Sequence, residues 1–219
     1  MDERAARLRR RTGEFIATKE HRRFVEFADA VRREAFIGLC FGPAGVGKTL
    51  SARRYAHWDA AEELLEEWGP RTDAEAKIYA SLARSRTIFY TPAVKVTYAK
   101  LAADLDQLMM RADHAIEQHV HQEVVARSAR RSQHVELIVI DEAERLSAIA
   151  LENLRDRFDR RPMGLLLIGM PGPRETLRRI PAALQPHRVR TPIPTPDRRR
   201  ARVRAQPPLE ETRTHAEPR

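Results

Sequence analysis

Gly42-Pro43-Ala44-Gly45-Val46-Gly47-Lys48-Thr49, spelling G-x-x-x-x-G-K-T straight after the apolar run Phe36 to Phe41, constrains this chain more than any other stretch. A strand that ends in a glycine-rich turn and restarts as a helix gathers backbone N–H groups and a positive helix end at one point. That point suits a polyphosphate. Glycines at 42, 45 and 47 let the backbone curl around the anion. Lys48 is then placed to reach the β and γ phosphates, and the Thr49 hydroxyl to hold Mg²⁺. The residues expected to contact the nucleotide are Gly42, Pro43, Ala44, Gly45, Val46, Gly47, Lys48, Thr49 and Leu50. The plainer alternative, a glycine turn that binds nothing, fits less well, because the motif's own context of strand before and helix after is present.

A second feature completes the first. Val135 and Leu137 to Ile140 form an apolar, largely β-branched run, the pattern of a parallel strand buried on both faces. Asp141-Glu142 follows at once. An acidic pair at the end of such a strand supplies what hydrolysis still needs: Asp141 to orient Mg²⁺, and Glu142 to orient and polarise the attacking water. Lys48 and Glu142 are thus the catalytic candidates, and Thr49 and Asp141 the metal candidates. The competing reading of the pair is a helix N-cap that favours the dipole.

The remaining pattern fixes the fold class. Thr18 and Glu20 open a helix whose Phe24, Phe27, Ala28 and Val31 share one face. Strands are expected at Ala35 to Phe41, Thr87 to Tyr90, Leu137 to Ile140 and Gly164 to Gly169. Helices are expected over Lys48 to His57, Glu62 to Trp68 before the Gly69-Pro70 breaker, Asp73 to Ala83, and from Tyr98 through Leu101, Leu105 and Met109. Ala112 to Arg131 reads as a polar, solvated continuation; its His114 and His121 lack a third spaced ligand for a metal. Ser147 caps a helix that turns Leu151, Leu154 and Phe158 inward. Strands alternating with helices imply an α/β fold, a doubly wound parallel sheet flanked by helices, with ligand sites at the strand carboxyl ends.

Charge separates the tail from the rest. The chain carries a formal net charge of +9, but residues 171–219 hold 12 Arg against 5 acidic residues, or +7, and ten of the 14 prolines. Only +2 remains for residues 1–170, so the folded part need not be a basic surface. The organisation expected is a polar N-terminal arm over 1–17, a nucleotide-binding core over 18–184 and a disordered Pro/Arg-rich tail over 185–219. A lone cysteine, Cys40, excludes an internal disulfide and fits a reducing cytoplasm. The charged first 11 residues are no secretory signal, and the longest apolar runs are strand-sized, so no membrane partner is expected.

Spacing alone leads no further than an ATP-using α/β domain. The combination of Gly42 to Thr49, V-E-L-I-V-I-D-E-A-E-R-L over Val135 to Leu146, and Gly164 to Gly169 followed by Met170-Pro171-Gly172 resembles a family. It is that of the AAA+ ATPases accompanying bacterial transposases: the TniB-like and phage Mu B-like target-selection proteins, with ExeA-like AAA proteins as cousins. The resemblance covers roughly Thr18 to Leu177, and D-E-A-E-R-L is its most discriminating piece. It implies a P-loop NTPase that uses ATP and Mg²⁺, assembles as a homo-oligomer on duplex DNA, and delivers that DNA to a transposase. Arg160, Arg161 and Arg188 are the candidates for an arginine finger acting across a subunit boundary. Two departures stand out: Met170 replaces a polar sensor residue, and the tail replaces a further strand and helical lid, so that no clear lid is expected. The alternatives are a truncated nucleotide- and DNA-binding remnant with little turnover, and a small-molecule P-loop kinase, against which the Asp-Glu pair argues.

Overall fold

The structure, a computed structural model, describes residues 15–66, 75–123 and 133–170, without the side chains of residues 121–123. The expectations for residues 1–14, the Gly69-Pro70 breaker, the His121 side chain, Arg188 and the tail lie outside the described residues.

Helix α1, Lys19–Glu34, is capped by Thr18, whose hydroxyl accepts from the His21 N–H at 3.1 Å. Its Phe24, Ala28 and Val31 are buried, as their spacing requires, and Phe27 packs at the margin of the core. Burial of a side chain such as Phe24 is worth about 1.5–3 kcal/mol. The helix ends when Ala35 turns left-handed, at φ 50°. Strand β1 therefore runs over Ile37–Phe41, two residues shorter at its start than the apolar pattern indicates.

Three helices follow the glycine-rich turn: α2 at Lys48–Tyr55, α3 at Trp58–Glu66 and α4 at Ala76–Ser85. Strand β2 is Thr87–Tyr90, and α5 runs unbroken over Tyr98–Glu123. The solvated character expected from Ala112 onward does not hold for its first turn and a half, where Ala112, Ala115 and Ile116 are buried. Alanines among charged neighbours carry almost no periodic signal, although they let a helix pack closely. Strand β3 is Leu137–Ile140, α6 is Ala148–Asp159 and β4 is Gly164–Gly169.

The four strands form one sheet in the order β1-β4-β3-β2, every pair parallel. The chain leaves β1 for the far edge and returns strand by strand. Each parallel step needs a helical crossover, and the helices provide them. All residues of β3 and β4 are buried, as expected for inner strands covered on both faces. Helix α1 comes so close to β4 that a Cβ on Gly164 would stand 2.6 Å from the Val31 carbonyl oxygen. Because all strands point one way, β1 and β3 deliver Phe41 and Ile140 to the same end of the sheet. The turns that follow them, 42–47 and 141–146, are thereby brought together.

Candidate functional site

The turn after β1 is shaped by two residues in the left-handed region, Gly45 at φ 79° and Gly47 at φ 82°. A Cβ at either would meet nothing within 4 Å, so glycine is needed there for the backbone angle and not for space. Gly42 is buried and has no positive φ; its part is to offer a carbonyl. Lys48 Nζ donates to Gly42 O at 2.7 Å and to Pro43 O at 2.8 Å. An ammonium has three hydrogens, so this buried amine closes the loop with two and keeps a third for an anion. Gly47 opens α2 with no side-chain cap, and the first intrahelical bond of the turn is made by the Ser51 N–H. The N–H groups of Lys48, Thr49 and Leu50 thus belong to the unsatisfied first turn of a helix, where a phosphate is favoured. Ala44, Gly45, Thr49 and Leu50 are exposed, and Pro43 and Val46 half-buried.

Asp141, 4% exposed, meets this helix from β3. Its Oδ2 accepts from the Thr49 hydroxyl at 2.7 Å across 92 residues of sequence, and its Oδ1 accepts from the Glu142 N–H at 2.9 Å. Two oxygens of the kind that magnesium prefers are therefore adjacent at the rim of the loop. The donor set fits the ion: Thr49 and Asp141 are the residues that would hold it.

Glu142 stands in the left-handed region, at φ 50° and ψ 43°, and its carboxylate forms an ion pair with Arg145. The N-cap alternative finds no cap bond: Glu142 precedes the single 3-10 turn Ala143–Arg145 without a side-chain cap, and α6 is capped by Ser147, which accepts from the Ala150 N–H at 3.2 Å. Beneath the site, Cys40 is buried in β1. Burial pushes its thiol up to about 11; the Lys48 charge opposes the rise and Asp141 adds to it.

Loop and acidic turn thus meet as the spacing indicates, with Lys48, Thr49, Asp141 and Glu142 at one end of the sheet. Arg160 and Arg161 do not join them. Both are exposed between α6 and β4, at the opposite end of the sheet, where Arg160 binds Asp156 at 2.8 Å. Met170 follows β4 and is half exposed. Nothing in the sequence singles out Glu144, yet its Oε2 lies 2.6 Å from where a Cβ of Gly169 would stand, so a carboxylate flanks the exit of β4. The spelling D-E-A-E-R-L contained it, without a local signal to tell it from a solvated residue.

A parallel α/β sheet with a phosphate loop after its first strand, and an acidic turn bonded to that loop, defines a P-loop nucleotide-binding protein. Comparison with known families places the match more closely: residues 31–177 match the AAA domain. The chain belongs to the AAA domain family, which makes it an ATP-binding protein of the AAA type. It is also similar to a Staphylococcus aureus protein described as a potential ATP-binding protein, with 36% identity over 173 residues. The match covers 76% of this chain and 62% of that protein, so the chain spans under two thirds of its relative's length. Among the described residues, no helix is long and apolar enough to cross a membrane.

Proposed function

We propose that this chain hydrolyses ATP and does so on duplex DNA, as a homo-oligomer that supplies target DNA to a transposase or activates it. The hydrolytic part rests above all on the 2.7 Å bond between Thr49 and Asp141, because it sets the metal-binding oxygens beside the loop and puts Glu142 next in the chain. In this reading, the loop amides and Lys48 hold the β and γ phosphates. Mg²⁺, held by Thr49 and Asp141, supplies charge that stabilises the phosphates when bound. Glu142 accepts the hydrogen bond of a water and takes its proton as the water oxygen bonds to the γ phosphorus. The bond from that phosphorus to the β–γ bridging oxygen breaks, and ADP and phosphate leave.

The DNA part is supported by the D-E-A-E-R-L turn and its resemblance to transposition ATPases, and the excess of arginine in residues 171–219 agrees with it. Hydrolysis measured with and without duplex DNA, at low and physiological salt, tests it. The reading expects turnover to rise with DNA and the rise to shrink with salt, since phosphate contacts release counterions. Turnover indifferent to DNA, together with absent DNA binding at low salt, would remove the DNA and transposition part and leave a free-standing ATPase.

A further inference from the structure

The turn after β3 sends side chains to three neighbours. Asp141 reaches Thr49 on α2, Glu144 flanks Gly169 at the exit of β4, and Arg145 reaches in two directions at once. One Arg145 nitrogen forms the ion pair with Glu142 Oε2. The other, Nη1, donates to the Pro92 carbonyl at 2.9 Å, in the segment that joins β2 to α5. The guanidinium is thus tethered on its far side to backbone, unlike a lone surface pair of this spacing, which holds a side chain only weakly.

The two oxygens of Glu142 differ. Oε2 is buried and faces the guanidinium, while 40% of the Glu142 side chain remains exposed. Arg145 takes the inner oxygen and leaves Oε1 as the one able to accept from a water. Glu142 also sits in a backbone region that non-glycine residues avoid, so the aim of its carboxylate is imposed by what surrounds it.

We infer that Arg145 is a positioning residue for hydrolysis: tethered by the Pro92 carbonyl, it fixes Glu142 Oε2 so that Oε1 faces the attacking water, and it ties that aim to the segment after β2. The inference rests on Glu142 being the group that orients the water. Arg145 acts through Glu142, the side chain with which it is paired.

The test is steady-state ATP hydrolysis by the full chain as wild type, Arg145→Ala, Arg145→Lys, Glu142→Gln and the double variant Arg145→Ala/Glu142→Gln, with binding of a fluorescent ATP analogue measured beside it. Misplacement of a reacting group by about 1 Å costs on the order of 10²-fold, so Arg145→Ala is expected to lower kcat roughly 10- to 100-fold. KM and analogue affinity should hold within about twofold, because ground-state contacts are untouched. Arg145→Lys should recover part of the loss, and the double variant should be no slower than Glu142→Gln. An Arg145→Ala kcat at or above wild type would overturn the inference. So would kcat and analogue affinity falling together, or a double variant slower than Glu142→Gln by as much again. If the alanine variant does not fold, Arg145→Lys carries the same split at smaller size. A Glu142→Gln enzyme as fast as wild type would bring down the reading of Glu142 itself, whereas a dead Glu142→Gln beside an unaffected Arg145→Ala would remove Arg145 alone.

Discussion

The two ends of the sheet hold their polar residues in different ways. At the amino ends of the strands, several side chains are fastened to backbone. Arg32 Nη1 donates to Ser85 O at 2.8 Å, and Asp113 Oδ1 accepts from the His134 and Val135 N–H groups at 2.7 and 2.8 Å. Glu136 receives Arg86 at 2.6 Å, and its carbonyl accepts from the Gly164 N–H at 2.8 Å. At the carboxyl ends, Lys48 and Arg145 are also anchored to carbonyls, of Gly42, Pro43 and Pro92, but the groups placed for a metal and a water are tied to other side chains: Thr49 to Asp141 and Glu142 to Arg145. A side chain bonded to a fixed carbonyl or amide keeps the frame in register. One bonded to another side chain can exchange that partner for a phosphate, a metal or a water. The amino end is built to hold and the carboxyl end to bind, and substitutions at the two ends should separate activity from stability.

Among the substitutions that set the two ends against each other, the largest effect is expected from Lys48→Ala. Removing a cation aimed at the phosphates should cut kcat/KM for ATP by about 10²- to 10³-fold, measured by steady-state hydrolysis. Gly164→Ala should do the reverse at the other end. Its Cβ would press on the rigid Val31 carbonyl, and overpacking of this kind costs about 1–3 kcal/mol. The melting temperature should fall by roughly 2–4 °C per kcal/mol, while turnover per folded molecule stays at the wild-type level. A Gly164→Ala variant that melts normally but hydrolyses slowly would break the division between the ends.

Smaller effects sharpen it. Ala35 ends α1 at φ 50°, where glycine avoids the Cβ penalty, so Ala35→Gly should raise stability by about 0.5–1 kcal/mol in a denaturant titration and leave hydrolysis unchanged. The smallest effect concerns His21 and His57. Burial lowers both below their ordinary value near 6.5; the Arg54 charge adds to it for His21, and Arg84 and Arg54 for His57. The unfolded chain then binds more protons than the folded one in the window just below 6.5, so stability is full above that pH and declines as pH falls through it. Melting curves between pH 7.5 and pH 5 should show the decline, and His57→Gln should reduce it.

Much of this arrangement was legible because its signals are local. The phosphate loop is contiguous, Thr18 and Ser147 announce the helices they cap, and β2 and β4 begin and end where their apolar runs do. The missed features are those in which residues act at a distance or without a signature. Nothing in the spelling of Ala35 marks a left-handed turn, and the burial of Ala112, Ala115 and Ile116 is hidden by charged neighbours. The bond from Arg145 to the Pro92 carbonyl spans 53 positions and exists only because β2 and β3 are neighbours in the sheet. The place of Glu142 after a buried strand marks it as a candidate in the sequence, but its partner Arg145 is visible only in the fold.

The central claim is that the carboxyl end of the sheet is a hydrolytic site in which Glu142 acts on water. Its most direct test is a pair of measurements on Glu142→Gln beside the wild type: ATP affinity by equilibrium binding and hydrolysis in a single turnover. Affinity within about twofold of wild type with hydrolysis slowed about 10²- to 10⁴-fold, the range of a general base, is the expected result. Hydrolysis at the wild-type rate in Glu142→Gln, or no hydrolysis by the wild type despite tight ATP binding, would contradict the account.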